Sequence, residues 1–140
     1  MGGGNYDGGS GGGIYSDPGS VITIQDSTIV TNHSGASSGT GSDHGGGIAI
    51  AGSVSMENSI LANNTADYYP DCGGTIASGG FNLVENISGC TITGATDTII
   101  GQDPLLGPLV DLGVEGWMHV LMPGSPAIDT GSGTCVYIDQ

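Results

Sequence analysis

Carboxylates are the main groups through which this sequence could do chemistry. Its 140 residues include 14 Asp and Glu, three His and no Lys or Arg, for a formal charge of -14. Glycoside hydrolysis needs two carboxyl groups about 5 Å or about 6.5 to 9.5 Å apart. Asp26 and Glu57 occupy matching places in two similar segments, and stacking would bring them about one strand spacing apart, roughly 4.8 Å. Unpaired like charges that close repel one another. The pair is therefore open to three uses: a catalytic couple, a shared Ca2+ site, or two separately solvated acids. Asp67 and Asp71, together with Asp7, Asp17 and Asp43, sit in Gly-rich loops whose carbonyl oxygens also suit Ca2+. No EF-hand spacing or repeated Gly-Gly-x-Gly-x-Asp run accompanies them. Asp26, Glu57, Asp67 and Asp71 are thus diffuse Ca2+ candidates, and no other cofactor is indicated. His33, His44 and His119 are not spaced as a ligand set, no catalytic constellation is assembled, and the chain is expected not to be an enzyme.

The absent cations exclude whole classes of partner. Phosphate recognition depends on Lys and Arg, so nucleic acid is not expected as a ligand, and anionic membrane surfaces fall with it. No apolar run reaches the roughly 18 residues of a membrane span, so membrane insertion is not expected either. Of three cysteines, Cys72 and Cys90 flank a segment close to one coil of the stack. Adjacent layers would bring them side by side, and a bridge there belongs to an oxidising setting. Cys135 is left over. Three Asn-x-Ser/Thr sequons, at Asn32, Asn63 and Asn86, are possible glycosylation sites, the first two expected at equivalent corners. The alternative is that Asn stands there for its tolerance of positive φ or for ladder hydrogen bonding. Thr23, Thr31, Thr91 and Thr93 resemble the hydroxyls of flat water-ordering arrays, but no single repeated column is expected of them. Tyr68-Tyr69 is the one aromatic cluster on which a sugar could stack.

The elements that must position these residues are short strands. Gly11-Gly12-Gly13-Ile14 recurs as Gly45-Gly46-Gly47-Ile48, and more loosely as Ser78-Gly79-Gly80-Phe81. After the first two come alternating runs, Ser20 to Ile29 and Ser53 to Leu61, each closing on an Asn-containing corner. Inward Ile and Val alternating with outward Ser, Thr and Gln is a strand pattern, and a fixed long period of such strands indicates a solenoid. One repeat cannot bury its own apolar face, so stacking is expected to align Ile14 with Ile48 and Ile29 with Ile60. The expected fold is all-β: a right-handed parallel β-helix over residues 1-94, with an inserted loop at 35-44. Residues 95-140 are richer in Pro and lose the repeat. They are expected to form an irregular C-terminal cap in which Leu105, Leu106, Leu109, Trp117 and Leu121 close the core.

The Gly-Gly-Gly-Ile repeat and its Val-x-Ile/Met-x-x-Ser/Thr-Ile run resemble the right-handed parallel β-helix repeats of bacterial and archaeal surface proteins. The tail, Asp103-Pro104-Leu105-Leu106-Gly107-Pro108-Leu109 and Pro123-Gly124-Ser125-Pro126-Ala127-Ile128-Asp129-Thr130-Gly131, is similar to the end region of choice-of-anchor surface proteins. The resemblance implies an extracellular or cell-surface β-helix without catalytic activity. With no N-terminal cap evident, the expected role is a self-associating subunit of a surface fibre or adhesin-like assembly. The alternative is a β-helix that binds or degrades polysaccharide, with glycans as partners.

Overall fold

The computed structural model describes residues 10-35, 44-94 and 96-132. Asp7, Asp43 and Cys135 lie outside these, as does most of the expected 35-44 loop. The described chain is all-β, with a single 3-10 turn at Gly113–Glu115 and no α-helix.

The strands come in successive passes. The first holds β1 (Ser10–Gly11), β2 (Ile14–Ser16), β3 (Val21–Gln25), β4 (Thr28–Val30) and β5 (His33–Ser34). The second repeats them as β6 (His44–Gly45), β7 (Ile48–Ile50), β8 (Ser53–Glu57), β9 (Ile60–Ala62) and β10 (Thr65–Ala66). The later passes are shorter: β11 (Cys72–Gly80) and β12 (Leu83–Val84), then β13 (Cys90–Gly94) and β14 (Ile99–Ile100). Each strand pairs in parallel with its counterpart in the next pass, and the long β11 joins the β2–β7 and β3–β8 ladders into one six-stranded sheet. Parallel pairing therefore continues past Gly94 to Ile100. A separate antiparallel hairpin follows, β15 (Leu106–Asp111) with β16 (Trp117–Leu121).

Register creates columns of side chains. Ile22, Val54, Ile76 and Ile92 form one inward column, and Ile24, Met56 and Ser78 form the next. On the outer face of the same ladder Val21 pairs with Ser53 and Thr75 with Thr91, beside them runs the column Thr23, Ser55, Ala77 and Thr93, and beyond it Gln25 stands opposite Glu57. Residues of one strand alternate between faces with period two, so in-register parallel pairing converts each sequence alternation into a continuous stripe. The buried core runs through Ile24, Ile48, Ile50, Val54, Met56, Leu61 and Ile76.

Ile14 stacks on Ile48 as expected. Ile29, however, meets Leu61, while Ile60 stands against Thr28. The looser third repeat is also displaced: Cys72, not Phe81, follows Ile48 in its column, and Ser78 sits on Met56. Turn lengths between strands change from pass to pass, and a fixed sequence offset cannot track them. The expected apolar closure by the tail is not made either. Trp117 is 67% exposed, and Leu105, Leu109 and Leu121 are exposed as well.

Close stacking explains the Gly triplets. A Cβ on Gly46 would lie 2.3 Å from the Pro70 carbonyl oxygen and 2.5 Å from that of Thr65. Backbone from the end of its own pass and from the start of the next occupies the space a side chain would need. Gly74 bends the long strand β11 between two ladders; it has φ of 116°, and its Cβ would meet the Ile50 side chain at 2.8 Å. Gly46→Ala is expected to lower stability by about 3 kcal/mol or more, because backbone atoms cannot move aside. Gly19 has φ of 84° with open space around it. Gly19→Ala should cost only the left-handed strain, about 1 kcal/mol. Urea unfolding of the two variants checks the order.

Candidate functional site

Where the chain turns between sheets, backbone N–H groups lose their ladder partners and side-chain oxygens of the next layer accept them instead. The Ser27 N–H donates to Ser59 Oγ at 3.1 Å, and the Ser59 N–H donates to Asn82 Oδ1 at 3.0 Å. At the next corner the Asn32 N–H donates to Asn64 Oδ1 at 2.9 Å, and the Asn64 N–H to Asp71 Oδ1 at 3.1 Å. Asn64 Nδ2 donates to the same Asp71 oxygen at 2.9 Å, and the Asn86 N–H reaches Oδ2 at 2.8 Å. Asp71 is 1% exposed and ends this ladder with three N–H donors. Among the described residues, no buried side-chain nitrogen or oxygen lacks a hydrogen-bond partner.

Burial pushes the Asp71 carboxyl above its ordinary range, and the donors from Asn64 and Asn86 pull it partly back. Asp71 forms one wall of an open cleft of about 550 Å³, with Asn63, Thr65, Glu85 and Asp103 on its other sides. The Asn63 N–H donates to Glu85 Oε2 at 2.8 Å. Every group that fixes these acids is an amide. The cleft is polar and acidic, and it offers neither a cation nor an aromatic plate.

The structure separates Asp26 from Glu57 by one register step. Glu57 stands opposite Gln25, whose Nε2 donates to it at 3.2 Å. Asp26 stands opposite Asn58, whose Nδ2 donates to Asp26 Oδ1 at 2.6 Å. The two acids are therefore not the stacked pair that the repeat suggests; each faces an amide. Asp26 and Asn58 both have φ of 48°, and Phe81 above them has 56°, so this corner turns through left-handed residues layer after layer. Asp67 is exposed on the bend after β10. Asp26, Glu57, Asp67 and Asp71 do not converge, and no group of three or more His, Cys, Asp or Glu among the described residues is placed to hold a metal ion.

A register step also separates the first two sequons. Asn32 stacks on Asn64 and spends its own amide on the Val30 carbonyl and Asn64 Oδ1. Asn63 instead has φ of 55°, matches Thr31 at 58°, and is exposed. Asn86 uses Oδ1 to accept the Ser88 N–H. Of the three, Asn63 is the one whose side chain stands clear of the polar ladder. Tyr68 and Tyr69 are tilted by 58° with ring centroids 6.5 Å apart, and so do not form one flat stacking surface.

Cys72 and Cys90 form a disulfide, with Cα atoms 5.4 Å apart. It joins β11 to β13, where Cys90 pairs with Gly74. As expected, the four Thr residues do not fall in a single column: Thr23 and Thr93 share one outward column, Thr91 lies in the neighbouring one, and Thr31 stands at a corner.

Two measurements test the polar ladder and the bridge. Asp71→Ala leaves three donors without an acceptor and is expected to lose at least about 2 kcal/mol, since one unsatisfied buried donor costs about 1–3 kcal/mol. The raised carboxyl has a definite pH sign. A folded value above the unfolded one favours the folded state at low pH, and this stability is lost as pH climbs from the unfolded value, about 3.9, through the folded one. Asp71→Asn should flatten that decline, read from urea midpoints across the interval. Cys90→Ser should cost about 3 kcal/mol, the value for closing a loop near this length, given the 18-residue separation.

No protein-family model matches the chain, and neither does any curated protein or solved structure.

Proposed function

We propose that this chain is a non-catalytic structural module, a right-handed parallel β-helix of an extracellular surface that joins end to end with copies of itself. The observation that carries this reading is the state of its strand edges. Among the described residues, three of the ladders are open on both outer sides: β3 and β13, β4 and β14, and β5 and β10 end their respective sheets. An unpaired edge displays a row of N–H and C=O groups ready to template another strand. Because all three ladders are parallel, the last strands of one copy can pair with the first strands of the next while the chain direction is kept. In register, such a contact sets Ile92 beside Ile22 and Thr93 beside Thr23, like against like. A head-to-tail contact of this kind does not close on itself and grows as a filament.

Further support comes from the bridge. The Cys72–Cys90 disulfide fits an oxidising compartment. No helix among the described residues is long and apolar enough to cross a membrane. The acids are held by amides rather than aimed at a shared reacting centre. The similarity of the Gly-Gly-Gly-Ile repeats and the Pro-rich tail to surface β-helix proteins points the same way.

A charge of -14 with no cation opposes self-association. Assembly is therefore expected to strengthen as pH falls toward the pI near 4.1 or as Ca2+ is added. Sedimentation velocity with negative-stain microscopy at neutral and acid pH, with and without chelator, checks it. Head-to-tail rows that lengthen on acidification are expected; monodisperse monomers at every condition would sink the reading.

A further inference from the structure

We propose that Asn63 is an N-glycosylation site, the one of the three sequons that can carry an oligosaccharide without breaking a bond of the fold. The assignment shares with the proposed function only the passage through an oxidising secretory compartment, and it does not rest on self-association.

The segment Asn63-Asn64-Thr65 is an acceptor sequence for glycosylation of the Asn amide. Two other reasons could put Asn at this corner, and neither accounts for the side chain. The first is tolerance of left-handed backbone, since Asn63 has φ of 55°. Thr31 takes φ of 58° at the matching corner of the first pass, so the conformation does not require Asn there. The second is the polar ladder. That role belongs to the next column, where Asn64 Oδ1 accepts from Asn32 and Asn64 Nδ2 donates to Asp71. Asn63 ties itself to the following pass through its backbone, whose N–H donates to Glu85 Oε2 at 2.8 Å. Its side chain is exposed and stands clear of the ladder.

The other two sequons are built into the stack. Asn32 is half-buried, and its amide nitrogen donates to the Val30 carbonyl at 3.2 Å and to Asn64 Oδ1 at 3.0 Å. A primary amide has two N–H donors and a glycosylated one keeps a single N–H, so a sugar on Asn32 must break one of these bonds. Asn86 is half-buried and folded back on its own turn. Its Oδ1 accepts the Ser88 N–H at 2.9 Å, and its backbone N–H is anchored on Asp71 Oδ2 at 2.8 Å. That turn lies inside the loop closed by the Cys72–Cys90 bridge.

Space and chemistry at Asn63 suit a sugar. Asn63 lines the open cleft of about 550 Å³, together with Thr65, Glu85 and Asp103. Clefts of roughly 300–1,000 Å³ hold small ligands, so the first sugar meets open volume rather than packed side chains. Its hydroxyls are donors, and the Glu85 and Asp103 carboxylates are acceptors in a chain with no Lys or Arg to meet them. In the transfer, Asn63 Nδ2 attacks C1 of the first sugar of a lipid-pyrophosphate-linked oligosaccharide. The N–C1 bond forms, the C1–O bond to the pyrophosphate breaks, one amide proton passes to a base of the transferase, and the lipid pyrophosphate leaves. A neutral oligosaccharide here adds a bulky, hydrated group to the surface without adding to the charge of -14.

The test uses the whole chain in two preparations. One is secreted from a eukaryotic host behind a cleavable leader; the other is the folded, unmodified chain mixed with an oligosaccharyltransferase and a lipid-linked oligosaccharide. Chymotryptic peptides are read by mass spectrometry, because the chain has no Lys or Arg for trypsin. One glycan per chain is expected, at Asn63, and peptide N-glycosidase should remove it with conversion of that Asn to Asp. Thr65→Ala should abolish the glycan with far-UV circular dichroism unchanged, Thr65→Ser should retain it, and Ser88→Ala should leave it unaffected. Should Thr65→Ala fail to fold, Asn63→Gln removes the acceptor itself and should abolish the glycan as well. Sedimentation of the unmodified chain reads self-association separately, so either reading can fail without the other. Three results would overturn the proposal: Asn63 unmodified in both preparations while a control acceptor is modified, a glycan on Asn32 or Asn86 of the folded chain to the same extent as on Asn63, or a glycan that persists in the folded Asn63→Gln variant.

Discussion

A carboxylate in this chain has no Lys or Arg to meet, and the fold is organised around what replaces them. Amide N–H groups take the place of cations. Asn64 and Asn86 donate to Asp71, Asn58 donates to Asp26, Gln25 to Glu57, and the Asn63 backbone to Glu85. Hydrogen bonds to a charged acceptor are about twice as strong as neutral ones, so an amide can anchor an acid without a counter-charge. It does not neutralise the acid. The molecule keeps its full repulsion, and the core, the ladders and the disulfide must hold against it.

The same donors solve the problem of the corners. Between sheets the chain must rotate, and backbone groups there cannot continue the ladder. Ser59, Asn82, Asn64 and Asp71 each lend an oxygen to an N–H of the preceding layer. This is why short polar residues are buried in the interior: Ser59 and Asn82 are each 2% exposed. Gly46 and Gly74 serve the same stacking by absence, since a side chain at either would occupy the neighbouring layer's backbone or core. Corner ladders and close layers are thus one constraint, and the outer faces inherit their order from it.

The tail stands apart from that economy. Its hairpin pairs only with itself among the described strands; Leu109, Trp117, Val120 and Leu121 are exposed, while Leu106, Val110 and Met118 are half-buried. The last described residue returns to the stack, where the Ser132 N–H approaches Asn58 Oδ1 at 3.4 Å. Among the described residues, the outermost strands of the parallel ladders pair with no further strand.

Composition and alternation were enough to announce an all-β chain with repeating passes, an Ile14–Ile48 column and a Cys72–Cys90 bridge. A period-two pattern is local, and each strand of it can be read without knowing its neighbours. Register is not local. The second pass lies 32 residues from the first at Asp26–Asn58 and Asn32–Asn64, whereas the Gly-Gly-Gly-Ile repeat is offset by 34 at Ile14–Ile48. Two residues lost at one turn move every later side chain along its column. Stacking Asp26 on Glu57 or Asn32 on Asn63 needs an offset of 31, and the actual 32 parts both pairs by one residue. Residue types determined which strands could exist; only the stacked structure decided which residues share a column, because hydrogen-bonded layers fix register through turn lengths that no repeat count records.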